Sequence, residues 1–114
     1  MNLLAKLLIT GLAVLISAYL LPGISVDGMV GAILVAAVLM LINVIVKPIM
    51  IILTLPVTFF TLGLFLLVIN ALCIMLAGQI VPGFHVDGFW WALLFSIILS
   101  IINSALEGLA KRNE

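Results

Sequence analysis

Charge is scarce in this sequence. Four Lys/Arg stand against four Asp/Glu, together 7% of 114 residues, and the formal net charge is zero. A soluble domain carries roughly 25% charged residues, so a water-exposed globule is excluded. Without a basic surplus a nucleic-acid backbone finds no electrostatic partner here. One cysteine, Cys73, and one histidine, His85, leave nothing from which to build a disulfide framework or a metal-ligand set. The sequence has no Gly-rich phosphate loop or nucleophile–base pair, and no cofactor is expected. Ionisable residues are also missing from the middle of the apolar runs, which removes proton relays and voltage sensors. No enzyme is expected from such a chain.

What the sequence has is apolar residues, 68% of the total. They fall into runs separated by turn signals. Leu3 to Leu21 ends at Pro22-Gly23, and Met29 to Val46 lies between Asp27-Gly28 and Lys47-Pro48. Residues 49–80 are interrupted at Pro56, and Phe89 to Leu106 follows Pro82-Gly83. Eighteen helical residues rise about 27 Å, close to the thickness of a hydrocarbon core. The runs therefore predict an all-α integral membrane protein with four transmembrane helices. A cleaved signal peptide is not expected, because Ile16-Ser17-Ala18 lacks the small residue at its first position.

An internal duplication organises the chain. At an offset of 60 residues, Pro22-Gly23 aligns with Pro82-Gly83 and Val26-Asp27-Gly28 with Val86-Asp87-Gly88; Ala32, Leu39, Ile42 and Asn43 match Ala92, Leu99, Ile102 and Asn103. Upstream the match is weaker, with Thr10 opposite Asn70. The expectation is two tandem helical hairpins, repeat 1 over 1–48 and repeat 2 over 61–108, with a connection at 49–60 and a short tail at 109–114. Two spans per copy give both the same polarity, a parallel repeat about an axis along the membrane normal. Lys6, Lys47, Lys111 and Arg112 all fall on one side. The positive-inside rule then puts both termini and the connection in the cytoplasm. Phe84, Phe89, Trp90 and Trp91 suit an interfacial belt at the outer turn.

The connection carries no charge, and Pro48 and Pro56 each remove a backbone donor. A Pro-broken apolar segment lying in the interface or dipping into the bilayer is favoured. The alternative is that the second and third helices extend and tilt, meeting near Thr54.

Polar and small residues supply the candidate sites. Asp27 and Asp87 precede helices and are expected as N-caps. Gly28, Ala32 and Ala36 on the second helix, and Gly88, Ala92, Ser96, Ser100 and Ser104 on the last, recur every four residues and predict close helix packing within or between subunits. Ser96, Ser100, Ser104 and Asn103 are also the residues that could line a pore. Asn43, Asn70 and Asn103 need partners at membrane depth, and a bond between the repeat mates Asn43 and Asn103 is expected. The repeat mates Lys47 and Glu107, opposite in sign, are read either as an ion pair at the cytoplasmic boundary or as two snorkelling side chains at helix ends.

The strings Asn43-Val-Ile-Val-Lys-Pro48, Leu53-Thr-Leu-Pro56, Thr61-Leu-Gly-Leu-Phe65 and Val68-Ile-Asn-Ala71, with Pro82-Gly-Phe-His-Val-Asp-Gly88, resemble the bacterial four-span phage holin family (mycobacterial-type superfamily IV). The resemblance implies a multi-pass protein of the bacterial cytoplasmic membrane. Three functions follow for consideration: a self-associating holin-like permeabiliser, a non-conducting envelope protein binding lipid or a partner membrane protein, and a small channel or exporter. The expected partners are the lipid bilayer and further copies of the chain.

Overall fold

The computed structural model describes residues 2–112. Met1 and the last two residues of the expected tail lie outside the described residues. The first helix, α1, covers Leu3–Leu20; its N-cap Asn2 accepts a hydrogen bond at Oδ1 from the Ala5 amide at 2.8 Å. A two-residue strand β1, Ile24–Ser25, leads into α2, Gly28–Leu53. A short α3, Leu55–Phe60, precedes α4, Phe65–Ile80; then β2, His85–Val86, and α5, Phe89–Arg112, complete the order. Helices α1, α2 and α5 are long and apolar enough to cross a membrane, and α4 is a shorter apolar helix of 16 residues.

Each helix packs on two neighbours, in the cyclic order α1, α2, α4, α5, while the diagonal pairs α1/α4 and α2/α5 make no close backbone approach. At one end of the bundle, here the ribbon end, β1 and β2 pair antiparallel with Ile24 opposite Val86 and Ser25 opposite His85. The Asp87 amide adds a bond to the Gly23 carbonyl at 2.9 Å. Gly23 is required there because a Cβ would run into the Trp91 indole. The turn signals Pro22-Gly23 and Pro82-Gly83 thus lead into two segments that pair across 60 residues of sequence.

The other end carries Lys6, Lys47, Lys111 and Arg112, and is here the basic end. The core occupies the ribbon half. Val14, Ala18, Val35, Leu39, Ile69, Ile74, Ala77, Phe84 and Phe95 are buried together, and no residue of α5 beyond Ser96 is buried. Phe84 and Phe95 pack with ring centres 5.7 Å apart.

Two boundaries differ from expectation. Pro48 does not end the second helix; α2 runs through it to Leu53. Proline costs one amide and crowds the preceding turn, yet apolar helices with packed neighbours absorb it. The break falls at Thr54, whose Oγ1 donates to the Met50 carbonyl at 2.8 Å, and Pro56 sits in the first turn of α3, where its missing amide is not needed. Thr61 then accepts the Phe65 amide at Oγ1 (3.2 Å), and Leu62 and Gly63 turn the chain with φ of 57° and 88°. Residues 109–112, expected as tail, belong to α5.

Candidate functional site

The basic half of the bundle holds a polar chamber that is partly open to its surroundings. One part, about 340 Å³, is lined by Lys6 and Thr10 of α1, Met40 and Asn43 of α2, and Ser100, Asn103 and Glu107 of α5. An adjoining part, about 100 Å³, lies between α2, α4 and α5 and adds Lys47, Asn70, Cys73 and Ser96. Leu39, Asn43, Leu99 and Ser100 line both. This is room for several water molecules beside many polar groups, the condition under which a cavity in an apolar protein is wet.

The chamber follows from the sequence. Inward-facing residues of the ribbon half are mainly Ala, Val, Leu, Ile and Phe, with Ser17 among them, and they close the bundle. Beyond Leu39 and Ser96 the inward positions become Asn43 and Asn103, with Lys47 and Glu107 one turn further. Polar groups at these positions find partners more cheaply around water than in a dry core.

The expected polar residues Asn43, Lys47, Asn70, Ser96, Ser100, Asn103 and Glu107 are brought to this place, but not always as expected. Asn43 and Asn103 line the same chamber without bonding to one another; Asn103 instead accepts at Oδ1 from the Thr10 hydroxyl at 3.3 Å. Among the described residues no ion pair joins Lys47 to Glu107. Both corrections have one cause. Repeat mates on α2 and α5 lie on diagonal helices, with the chamber between them, whereas Thr10 and Asn103 sit on neighbouring helices.

The stripe of small residues divides in two. Ala32, Ala36, Ala92 and Ser96 are buried in helix contacts, while Ser100 and Ser104 are exposed. Gly28 and Gly88 are not packing residues: a Cβ on either would meet nothing within 4 Å, and their φ of 67° and 115° makes them turn residues. Gly11 of α1 lies close against α2: a Cβ there would lie 2.9 Å from Ile33 Cγ1. A lone glycine outside any four-residue stripe gave no signal.

Asp27 stands at the N-cap of α2, but its carboxylate makes no capping bond; it lies against Gly83, where a Cβ would meet it. Asp87 likewise turns away from the helix, its Oδ1 2.7 Å from His85 Nε2. Asp27 thus reaches across to the other turn, while Asp87 stays with His85 of its own turn, and both remain exposed.

On the outer side of α1 and α2 an apolar groove of about 330 Å³ is lined by Leu3, Leu7, Ala37, Met40, Leu41 and Val44. It shares Met40 and Val44 with the larger chamber. At the basic end the α3 segment forms an apolar tip, with Phe59 and Phe60 exposed and Leu62 92% exposed.

Comparison with known proteins adds the following. The family model for the Mycobacterial 4 TMS phage holin, superfamily IV, matches residues 1–105. Uncharacterized membrane protein YvlD of Bacillus subtilis is 37% identical over 103 residues, covering 90% of this chain and 87% of its own. Uncharacterized protein SCO3922 of Streptomyces coelicolor is 40% identical over 116 aligned residues, covering 93% of each chain. No solved structure matches this chain.

Proposed function

The chain belongs to the mycobacterial four-span phage holin superfamily IV, and from that premise we propose a self-associating protein of the bacterial cytoplasmic membrane that permeabilises it once enough copies assemble. One observation carries the reading: the small-residue stripe of α5 is only half used. Ala92 and Ser96 are buried within the subunit, while Ser100, Ser104 and Gly108 remain exposed, with nothing within 4 Å of a Cβ at Gly108. In lipid, where apolar surface alone drives little association, such a face lets a second helix approach closely. This face borders the chamber at Ser100, so assembly along it brings polar chambers of several copies together. A single copy is closed, because Phe84, Phe95, Val14 and Val35 fill the ribbon half.

The basic end faces the cytoplasm in this reading, since all four Lys/Arg lie there. Both termini are then inside, the ribbon outside, and the α3 tip rests in the inner interface. The two hairpins are copies of one unit. In support, Ser25 pairs with His85, its own counterpart at an offset of 60, and α1 packs on α5 as α4 packs on α2.

The test is a Cys73→Ser chain carrying Ser104→Cys, oxidised in membranes, alongside induced expression with a membrane-impermeant dye and a potential probe. Disulfide-linked dimers and abrupt dye entry above a threshold are expected, with both reduced by Gly108→Ile. Monomers throughout, or intact cells at high expression, overturn the reading.

A further inference from the structure

The chamber and the groove beside it have complementary chemistries. The larger chamber carries charges of both signs, Lys6 and Glu107, together with Thr10, Asn43, Ser100 and Asn103. The groove is wholly apolar in its lining, and the two cavities share the α2 residues Met40 and Val44 as a common wall. On α1 the alternation is direct: Leu3 and Leu7 face the groove and Lys6 the chamber. Along α2 the groove runs from Val44, near the basic end, to Ala37, about 10 Å deeper. An acyl chain descending from a headgroup at the membrane surface takes this direction.

We propose that this pair of cavities is a binding site for one phospholipid with a zwitterionic primary-ammonium headgroup, phosphatidylethanolamine. The phosphate lies at Lys6, the ammonium donates to Glu107, and an acyl chain occupies the groove between α1 and α2. Glu107 decides the class. Lys6, with Lys47 in the adjoining part, offers cations to any phosphate, but a purely anionic headgroup leaves the Glu107 carboxylate without a partner, whereas the ethanolamine ammonium supplies one. The Asn103 side-chain NH2 remains to donate to the headgroup, while the Thr10 and Ser100 oxygens, whose protons go to Asn103 Oδ1 and the Ser96 carbonyl, remain to accept from it. A cavity of about 340 Å³ beside a groove of about 330 Å³ leaves space for both parts of the lipid. The site lies within a single copy, and its groove is on α1 and α2, whereas the proposed assembly face is on α5 and meets the chamber only at Ser100.

The full chain in nanodiscs of mixed phosphatidylethanolamine, phosphatidylglycerol and phosphatidylcholine, released and weighed by native mass spectrometry, tests this. The ethanolamine lipid is expected to be retained about tenfold over the other two, the ratio that one charge-assisted hydrogen bond supplies. Glu107→Gln should erase that preference, Lys6→Gln should lower retention of every phospholipid, and Ala37→Phe should do so by obstructing the groove. Helix content by circular dichroism shows whether each variant is folded, and the native chain's own ranking needs no variant. Equal retention of the three lipids by the native chain, or an unchanged ranking in folded Glu107→Gln, overturns the site. Binding of free phosphoethanolamine as tightly as of the lipid would overturn the role of the groove.

Discussion

The Thr10 hydroxyl donates to Asn103 Oδ1 across the α1–α5 contact at 3.3 Å, at the edge of the chamber. This is a side-chain bond between helices 93 residues apart in sequence. It is long for an O–H···O bond, which places it at the weak end of its class. Interhelical hydrogen bonds in membranes average about 0.6 kcal/mol. Thr10→Val is therefore expected to cost about 0.6 kcal/mol in detergent unfolding, with Asn103→Leu costing somewhat more because Asn103 also faces the chamber. In the double variant the two losses should fall short of additive by about the strength of the bond. Strict additivity would mean that the two side chains do not interact.

How much of this was legible beforehand depends on what each residue answers to. Pro22-Gly23 and Pro82-Gly83 punctuate the chain locally, and helices end beside them. Gly28 and Gly88 misled, because their four-residue spacing from Ala32 and Ala92 predicts packing while their positive φ belongs to a turn. Pro48 could not be read locally. Whether proline breaks an apolar helix depends on what packs around the freed carbonyl, and here α2 continues to Leu53. The partners of Asn103 and Glu107 depended on which helices are neighbours and which are diagonal. An offset of 60 residues matches Asn43 with Asn103 and Lys47 with Glu107 in the sequence, but these residues stand on the diagonal helices α2 and α5, with the chamber between them. Gly11 was invisible for a related reason, since only the approach of Ile33 gives it a role.

The ribbon offers a covalent test of that arrangement. Ser25 and His85 face each other in an antiparallel pair, where side chains directly opposite have Cβ atoms about 5 Å apart. In a Cys73→Ser chain, Ser25→Cys with His85→Cys should form an intramolecular disulfide under mild oxidation, read as a mobility shift reversed by reductant. Moving one partner to Asp27→Cys should reduce the yield severalfold. A disulfide that fails to form in membranes would separate the two turns and leave the hairpins unpaired at that end.

Ser17 provides the sharpest prediction about stability. It is wholly buried in α1, and among the described residues its Oγ has no hydrogen-bond partner. A buried hydroxyl left unsatisfied costs on the order of 1 kcal/mol or more, and removing the oxygen leaves a void smaller than a methyl group. The counterpart of Ser17 at an offset of 60 is Ala77, also fully buried and packed in the core. Alanine thus already fills the matching place on α4. Ser17→Ala is accordingly expected to raise stability by about 1 kcal/mol, seen as a higher midpoint in detergent unfolding followed by circular dichroism. Ser96→Ala is the contrast. Ser96 is also buried, but its Oγ donates to the Leu93 carbonyl at 2.8 Å, so removing it should bring no gain. If Ser17→Ala destabilises instead, its hydroxyl has a partner in the folded membrane protein, and the α1 face on which it lies is wetter than the tight packing around Val14 and Ala18 implies.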